Sequence, residues 1–596
     1  FENVIKINPN FEEAHYNLGV IYKTINIIDK SMISFEKCLK LNPKKYEAYN
    51  NLGNIYRDKQ KTDFAIRHYL VSLDINPNYL IALQNLGVCL QNYEFSSFSD
   101  VTEKHIVNLL DKNKILRPVD IVKTLIKFIF LNNNYNETIT NYKKIESETS
   151  LDELIDRLLK IKILNKLFEI TPITDLKIEK VIKYIRSKIL FSIKSITNLN
   201  NASKFMKLIA SQCYINEYIY AKKNEEILAL HELEKIIAKK LTKNNSDNFI
   251  LEITCLAAYK SLHSYKWSSK LISTNKLSDL VNQQISNPKK ELEIRNEIKT
   301  YKKKDKISLK VKDQYENSPY PRWEKIALKN TPEKPIDFFN KLNLYTNNEK
   351  INKWDEIEVL VAGCGTGQHA ITTATKYKDA SITALDLSAS SLSYAKRKAD
   401  ELEIKNINFI QMDLLDLSKF KKKFNIIESV GVLHHMDKPY EGWKTLCDNL
   451  VTGGMIMVGL YSKIARNHII KIKEDIKNLN IKINRENIIN FRDKIIKSNN
   501  KDYALVKESS DFYSYSNFID LIFHVQENRF TIPEINNCIN KLNLQFCGFE
   551  NRLLLNSFKK IYKNKKDLYN LELWNNFETN NTRIFAGMYQ FWCQKN

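Results

Sequence analysis

The sequence predicts a multidomain chain, helical through its first half and α/β with a largely parallel sheet in its second. Three observations carry that prediction. A repeat of period 34 opens the chain, residues 93–300 keep helical apolar spacing with few breakers, and from about residue 301 apolar runs alternate with helical ones. With 596 residues the chain exceeds what one core spans, so about two to four domains are expected.

The repeat comes first. Asn-Leu-Gly recurs at 17–19, 51–53 and 85–87, and Asn-Pro at 8–9, 42–43 and 76–77, both in steps of 34. Leu18, Gly19, Tyr22, Phe35 and Pro43 mark one unit; Leu52, Gly53, Tyr56, Ala65, Tyr69 and Pro77 mark the next. This pattern resembles tetratricopeptide (TPR) repeats, which stack helix–turn–helix units into an α-helical solenoid. Glycine lets the two helices approach, the aromatics fill the gap, and proline ends the second helix. The resemblance covers about residues 1–92; the third unit starts at Leu80 and loses the pattern after Leu90. In that register Phe1 lies in the second helix of an earlier unit, so the chain is expected to begin inside a repeat, with further repeats before it.

Residues 93–300 are expected to form an all-α linker or helical module, on runs such as IVKTLIKFIFL and IEKVIKYIRSKILFSI. Cys213 and His263 are site candidates there, but a core cysteine and a core or capped histidine explain them more simply.

Residues 301–596 form the α/β domain. EVLVAG, SITALDLS, INFIQMD, NIIESVGV and GGMIMVGLY predict five strands; TGQHAITTATKY, SASSLSYAKRKADELE and DKPYEGWKTLCDNL predict the helices between them. LQFCGFE and FAGMYQFWCQK add two strands, for seven in all, and a helical insertion at about 462–543 separates them from the first five.

The net charge of +23 raises the question of nucleic acid or an acidic membrane surface. Lysine is spread along the chain and the densest runs, YKKKDK at 301–306 and KFKKKF at 419–424, are short, so composition bias accounts for it better than a polyanion site. No apolar run reaches the ~18–20 residues of a membrane span. The nine cysteines are scattered with no Cys-x-x-Cys pair, which argues against a disulfide framework or structural zinc and for a reducing, cytoplasmic setting; no metal is expected.

The chemistry centres on VLVAGCGTGQHA, 359–370, where Gly363, Gly365 and Gly367 alternate behind a strand. No Gly-Lys-Ser/Thr follows, and Gln368 stands where a dinucleotide fingerprint would need glycine. Asp386 ends the next strand, 19 positions after Gly367, where a carboxylate can accept from both ribose hydroxyls. Asp413 follows the third strand, IESVGVLHHMDKP the fourth, and Gly453-Gly454 precedes the fifth. Together these elements resemble class I S-adenosylmethionine-dependent methyltransferases, a Rossmann-like fold. With the repeats, and with QCYINEY, YENSPYPRW and FHVQENRFTIPE, the chain resembles bacterial proteins that join TPR repeats to such a domain.

The resemblance implies S-adenosyl-L-methionine as cofactor. Gly363, Gly365, Gly367 and Gln368 would lie at its methionine end, Asp386 at the ribose, and Asp413 with Leu414 at the adenine. His434, His435 and His524 are the candidate bases. Tyr315, Tyr320, Arg322 and Trp323 before the first strand, with Gln526 and Glu527 in the insertion, are candidate substrate or lid contacts; Glu428, inside the fourth strand, is a further candidate for the pocket wall. Many members of that family carry an acid at the position of Val361, which helps to orient the cofactor's amino group; here backbone or Gln368 has to supply that help. Asn425 stands where the fourth strand often begins with Asp.

The activity implied is methyl transfer to a small-molecule or protein acceptor, with the repeats recruiting a protein partner. The alternatives are a catalytically inactive cofactor-binding scaffold, kept open by Val361, and a nucleic-acid methyltransferase. The last ranks lower because no Asn-Pro-Pro-Tyr-type motif follows the fourth strand.

Overall fold

The computed structural model describes residues 1–243, 245–272, 274–301 and 306–596. Most of the YKKKDK run, residues 302–305, lies outside the described residues. Two compact units divide the chain. One comprises Phe1–Gln212, Leu251–Ala258 and Glu324–Ala327; the other comprises Cys213–Ile250, Tyr259–Trp323 and Leu328–Asn596.

In the first unit the repeats form the helix pairs Glu12–Thr24 with Ile28–Leu41 and Tyr46–Asp58 with Thr62–Ile75, then Leu80–Cys89. A methyl group on Gly19 would lie 2.6 Å from the Phe35 ring, and one on Gly53 2.5 Å from the Tyr69 ring. Both rings are fully buried, so each glycine is the hole its aromatic fills. At Gly87 the nearest atom belongs to Leu116, 3.6 Å away, and the aromatic plug is gone. Further helices follow, from Asp100–Asp111 through Leu176–Ser192.

The second unit is built on a sheet that has eight strands among the described residues: β1 Lys299–Thr300, β2 Ile357–Ala362, β3 Ala380–Asp386, β4 Ile407–Gln411, β5 Phe424–Val430, β6 Leu450–Leu460, β7 Leu544–Phe549 and β8 Tyr589–Lys595. Their order is β1-β4-β3-β2-β5-β6-β8-β7. Neighbours from β1 to β6 are parallel, and β8 runs antiparallel to both β6 and β7. The four inner parallel strands are buried along most of their length, which explains their near-continuous apolar sequences. The strand β1 has two residues and no periodicity to read, which is why only seven strands were legible. Trp443, Trp574 and Trp592 are fully buried in this unit.

Between β6 and β7 the insertion holds the helices Asn467–Asn478, Arg485–Lys497, Lys501–Lys507 and Ile532–Lys541, and a π-helical turn at Ile519–Phe523. The insertion is tied to the end of β6, because Phe530 donates to the Tyr461 carbonyl at 2.9 Å and accepts from Lys463 N–H at 2.9 Å. None of the described helices is long and apolar enough to cross a membrane. No disulfide joins the nine cysteines, and eight of them are buried. Cys213 is buried, and His263 Nδ1 lies 2.8 Å from Ser261 Oγ.

Candidate functional site

The parallel order aligns the carboxyl ends of β4, β3, β2, β5 and β6 along one edge, where α/β sheets hold ligands. A cavity of about 270 Å³ follows that edge. Asp413 and Leu414 line it after β4, Asp386 at the end of β3, Gly363, Gly365 and Gln368 after β2, Val430 to Val432 at β5, and Tyr461 after β6.

The glycines are required by the protein itself. A methyl group on Gly363 would lie 2.3 Å from Val432 Cγ2, and one on Gly365 2.6 Å from the Tyr320 carbonyl oxygen. On Gly367 it would meet Ala395 Cβ at 2.5 Å, at φ +83, where L side chains are also strained. Gly367 caps the helix Gln368–Ala374 from behind and does not line the cavity. The sequence reading put all three glycines against the methionine end; only Gly363 and Gly365 reach the cavity.

Asp386 closes the loop. Its Oδ2 accepts from Gly365 N–H at 2.8 Å and its Oδ1 from Ser388 N–H at 2.9 Å. Burial pushes this carboxyl up, and those two N–H groups oppose the shift. Asp413 is buried, and its Oδ1 accepts from Leu415 N–H at 2.8 Å.

The segment before β2 is anchored across the same edge. Glu316 accepts from the N–H groups of Ala389 and Ser390 at 2.9 and 3.1 Å, at the N-terminus of the helix Ala389–Glu401, where an anion is favoured. Ser388 Oγ donates to the Tyr315 carbonyl at 3.0 Å. Tyr315 and Tyr320 thereby come to line the cavity.

At the β5–β6 end stands a buried polar cluster. The rings of His435 and His524 stack with centroids 3.6 Å apart. The Tyr315 hydroxyl donates to Asp520 Oδ1 at 2.7 Å and lies 3.1 Å from His524 Nε2. The backbone of Gln526 fixes both tautomers. Its carbonyl is 2.7 Å from His435 Nδ1, so Nδ1 carries the proton and Nε2 the lone pair. Its N–H donates to His524 Nδ1 at 3.1 Å, so His524 carries its proton on Nε2, toward Tyr315. Burial pushes His435 down to about 4 and His524 down as well, while it pushes Asp520 up to about 6.

His435, Asp520 and His524 are described residues whose ligating atoms gather within 4.8 Å of one another, a spacing a cation could use. The Gln526 N–H argues against that use: it occupies His524 Nδ1 and keeps a proton on the nitrogen that faces Asp520 and Tyr315. The cluster is a hydrogen-bonded chain from His524 through Tyr315 to Asp520.

Other residues singled out in the sequence stand away from the cavity. His434 packs on Tyr461 with ring centroids 3.8 Å apart. Arg322 lies over Tyr214 and Tyr394, with its Nε 3.8 Å from Glu217, and Trp323 Nε1 donates to the Thr366 carbonyl at 3.1 Å. Trp323 thereby braces the glycine turn, while Arg322 packs against Tyr214, Tyr394 and Glu217. Glu527 is buried against Arg466 at 3.1 Å and Lys473 at 3.0 Å. Gln526 acts through its backbone rather than its side chain, and His524 touches Tyr315 without lining the cavity. Asn425 Oδ1 accepts from Glu358 N–H at 2.8 Å, a strand-edge tie.

Asp520, Tyr461 and His369 line the cavity and were not read from sequence. Asp520 sits on the π-helical turn, an irregularity frequent at functional sites and without an apolar period to flag it. Glu428 lies behind the cavity wall, fully buried.

A family model described as a methyltransferase domain matches residues 359–454, and two tetratricopeptide-repeat models match residues 34–66 and 12–45. An uncharacterised protein of Synechococcus is 28% identical over 207 residues, 33% of this chain and 48% of its own length. A Coxiella burnetii protein named ubiquinone biosynthesis O-methyltransferase is 29% identical over 134 residues, 22% of this chain and 54% of its own. The chain thus spans about half the length of these curated relatives. Among solved structures, Rickettsia typhi PKMT2 is similar at 14% identity and TM-score 0.33, over 45% of this chain and 54% of that one. The magnesium protoporphyrin IX methyltransferase of Synechocystis is similar at 11% identity and TM-score 0.27, over 49% of this chain and all of that one.

Proposed function

We propose, from a chain that carries an S-adenosylmethionine-dependent methyltransferase domain behind tetratricopeptide repeats, that it transfers a methyl group to a small-molecule or protein acceptor that the repeats help to recruit. The observation that carries this reading is that one cavity spans both ends of the site. It takes in the glycine turn, Asp386 and Asp413 at one end, and His435, Tyr461 and Asp520 at the other.

S-adenosylmethionine, when bound, supplies a methyl group already activated by its sulfonium. The protein's task is then to align the two reactants and exclude water, an effect worth up to ~7–11 kcal/mol. Asp386 would hold the ribose, Asp413 and Leu414 would flank the adenine, and Gly363, Gly365 and Gln368 would line the methionine chain, with Tyr315 and Tyr320 on the same cavity wall. The acceptor would take the end lined by His435, Tyr461 and Asp520. For an acceptor that gives up a proton, Asp520 is the stronger of the two bases there, at about 6 against about 4 for His435. Tyr315, which donates to Asp520, holds that carboxylate in place. The Coxiella relative is named for O-methyl transfer, which supports a hydroxyl acceptor.

The second reading is a scaffold that binds the cofactor without turnover, and Val361 in place of an acid favours it. Methyl-labelled S-adenosylmethionine incubated with the purified protein and cell extract separates the two. Transfer of label to one class of extract component, identified by mass spectrometry and lost in Asp520→Asn, supports the enzyme. Binding without transfer to any component supports the scaffold.

A further inference from the structure

Glu428 is a fully buried acid beside the cavity that the mechanism above does not use. It lies on β5 directly across from Val361 on β2. Its side chain is fully buried, and four groups converge on it: Lys376 Nζ at 2.8 Å and Tyr377 OH at 3.1 Å on Oε1, Thr373 Oγ1 at 2.5 Å and His369 Nε2 at 2.7 Å on Oε2. Burial alone would raise this carboxyl, but the Lys376 ammonium beside it and the hydrogen bond from His369 hold it well below the usual carboxylate range. Glu428 is therefore an anion, and the His369 nitrogen facing it donates.

Of these partners, His369 is the one that lines the cavity. Its side chain is 31% exposed, against 12% for Lys376. Lys376 sits on Oε1 and the His369 Nε2 on Oε2, so the carboxylate carries its cation on one oxygen and orients the imidazole with the other. With the proton on Nε2, a neutral imidazole carries its lone pair on Nδ1. Asp413 and Asp386 stand at β4 and β3, so the ribose and adenine would lie on that side and the amino-acid end would extend over β2 toward β5, where His369, on the helix after β2, bonds Glu428.

We propose that His369, oriented by the buried Glu428–Lys376 pair, seats the ammonium group of the donor's amino-acid end in place of the carboxylate that Val361 does not supply. His369 is the binding residue, accepting an ammonium N–H at Nδ1, and Glu428 is a positioning residue that acts through it. The proposal rests on the reading of the cavity as the donor site.

The test is calorimetric titration with S-adenosylhomocysteine and with its deaminated analogue, which lacks only the amino group. The wild type is expected to favour S-adenosylhomocysteine by about tenfold or more, the scale of a hydrogen bond to a charged group. His369→Phe keeps a ring of similar size and leaves Glu428 three donors; it is expected to lose that preference while still binding the analogue with wild-type affinity. Glu428→Gln is expected to reduce the preference with His369 still present. Equal weakening of both ligands in His369→Phe would mean a merely structural role and overturn the proposal, as would a preference that survives in that variant. A wild type that binds both ligands equally overturns the ammonium seat and leaves the donor site standing. A wild type that binds neither overturns both.

Discussion

At the scale of single residues, the cavity wall combines close packing with unfavourably buried charge. Gly365 shows the first. Any side chain there would press on the Tyr320 carbonyl at 2.6 Å, at φ +52. Gly365→Ala is expected to cost ~1–3 kcal/mol and to weaken donor binding together with stability, read from thermal melts with and without S-adenosylmethionine. Asp520 shows the second. Its folded value of about 6 lies above the ~3.9 of an unfolded Asp, so the folded chain holds more protons between those limits and stability falls as pH rises through that window. His435 acts in the opposite sense: the unfolded chain takes up its proton between about 4 and ~6.5, so stability grows as pH rises there. Asp520→Asn keeps an acceptor for Tyr315 without the buried charge. It is expected to stabilise the protein by ~1–3 kcal/mol at pH 7.5, with the gain vanishing below pH ~4, and to lower methyl transfer. Urea unfolding at the two pH values checks the sign. The histidines of this cluster were legible in sequence as polar groups beside an apolar stretch. Asp520 was not, because its meaning comes from Tyr315, 205 positions away.

At the scale of elements, the insertion is held by ion pairs at Glu527, a residue offered in sequence as a substrate or lid contact. Glu527 and Arg466 are both nearly fully buried, and Lys473 joins them. Removing the carboxylate leaves a buried guanidinium unpaired, so Glu527→Ala is expected to cost ~3–5 kcal/mol in urea unfolding. A solvent-facing or substrate-facing Glu527 would cost far less. The repeats allow a paired test. Gly53→Ala drives a methyl to 2.5 Å from the Tyr69 ring and is expected to destabilise by ~1–3 kcal/mol, whereas Gly87→Ala meets Leu116 at 3.6 Å and is expected to be nearly neutral. Circular dichroism melts of the two variants compare them directly. Repeats and strands were legible because period 34 and near-continuous apolar runs are local signals. The surroundings of Arg322 and Trp323 were not, since a Tyr-Pro-Arg-Trp segment looks the same whether it faces a ligand or packs inward; their partners, Tyr214, Tyr394 and Thr366, lie far from it in sequence.

At the scale of the whole molecule, a compact repeat-bearing unit and a compact sheet-bearing unit share one chain. The sheet-bearing unit takes in residues 213–250 and 259–300 as well, segments with no strand period that the sequence gathers into one helical stretch ending at 300. Glycine turn, Asp386 and Asp413 were legible because each follows a strand whose end is marked in sequence. What the edge of the sheet adds is their alignment into one cavity that also takes in His435, Tyr461 and Asp520. The central claim is that this cavity holds S-adenosylmethionine through Asp386. Calorimetric titration of the wild type and Asp386→Ala with that ligand tests it most directly. Saturable binding by the wild type, weakened at least tenfold in the variant while its melting temperature without ligand stays within a few degrees, is the result predicted; equal affinity in the two proteins would contradict it.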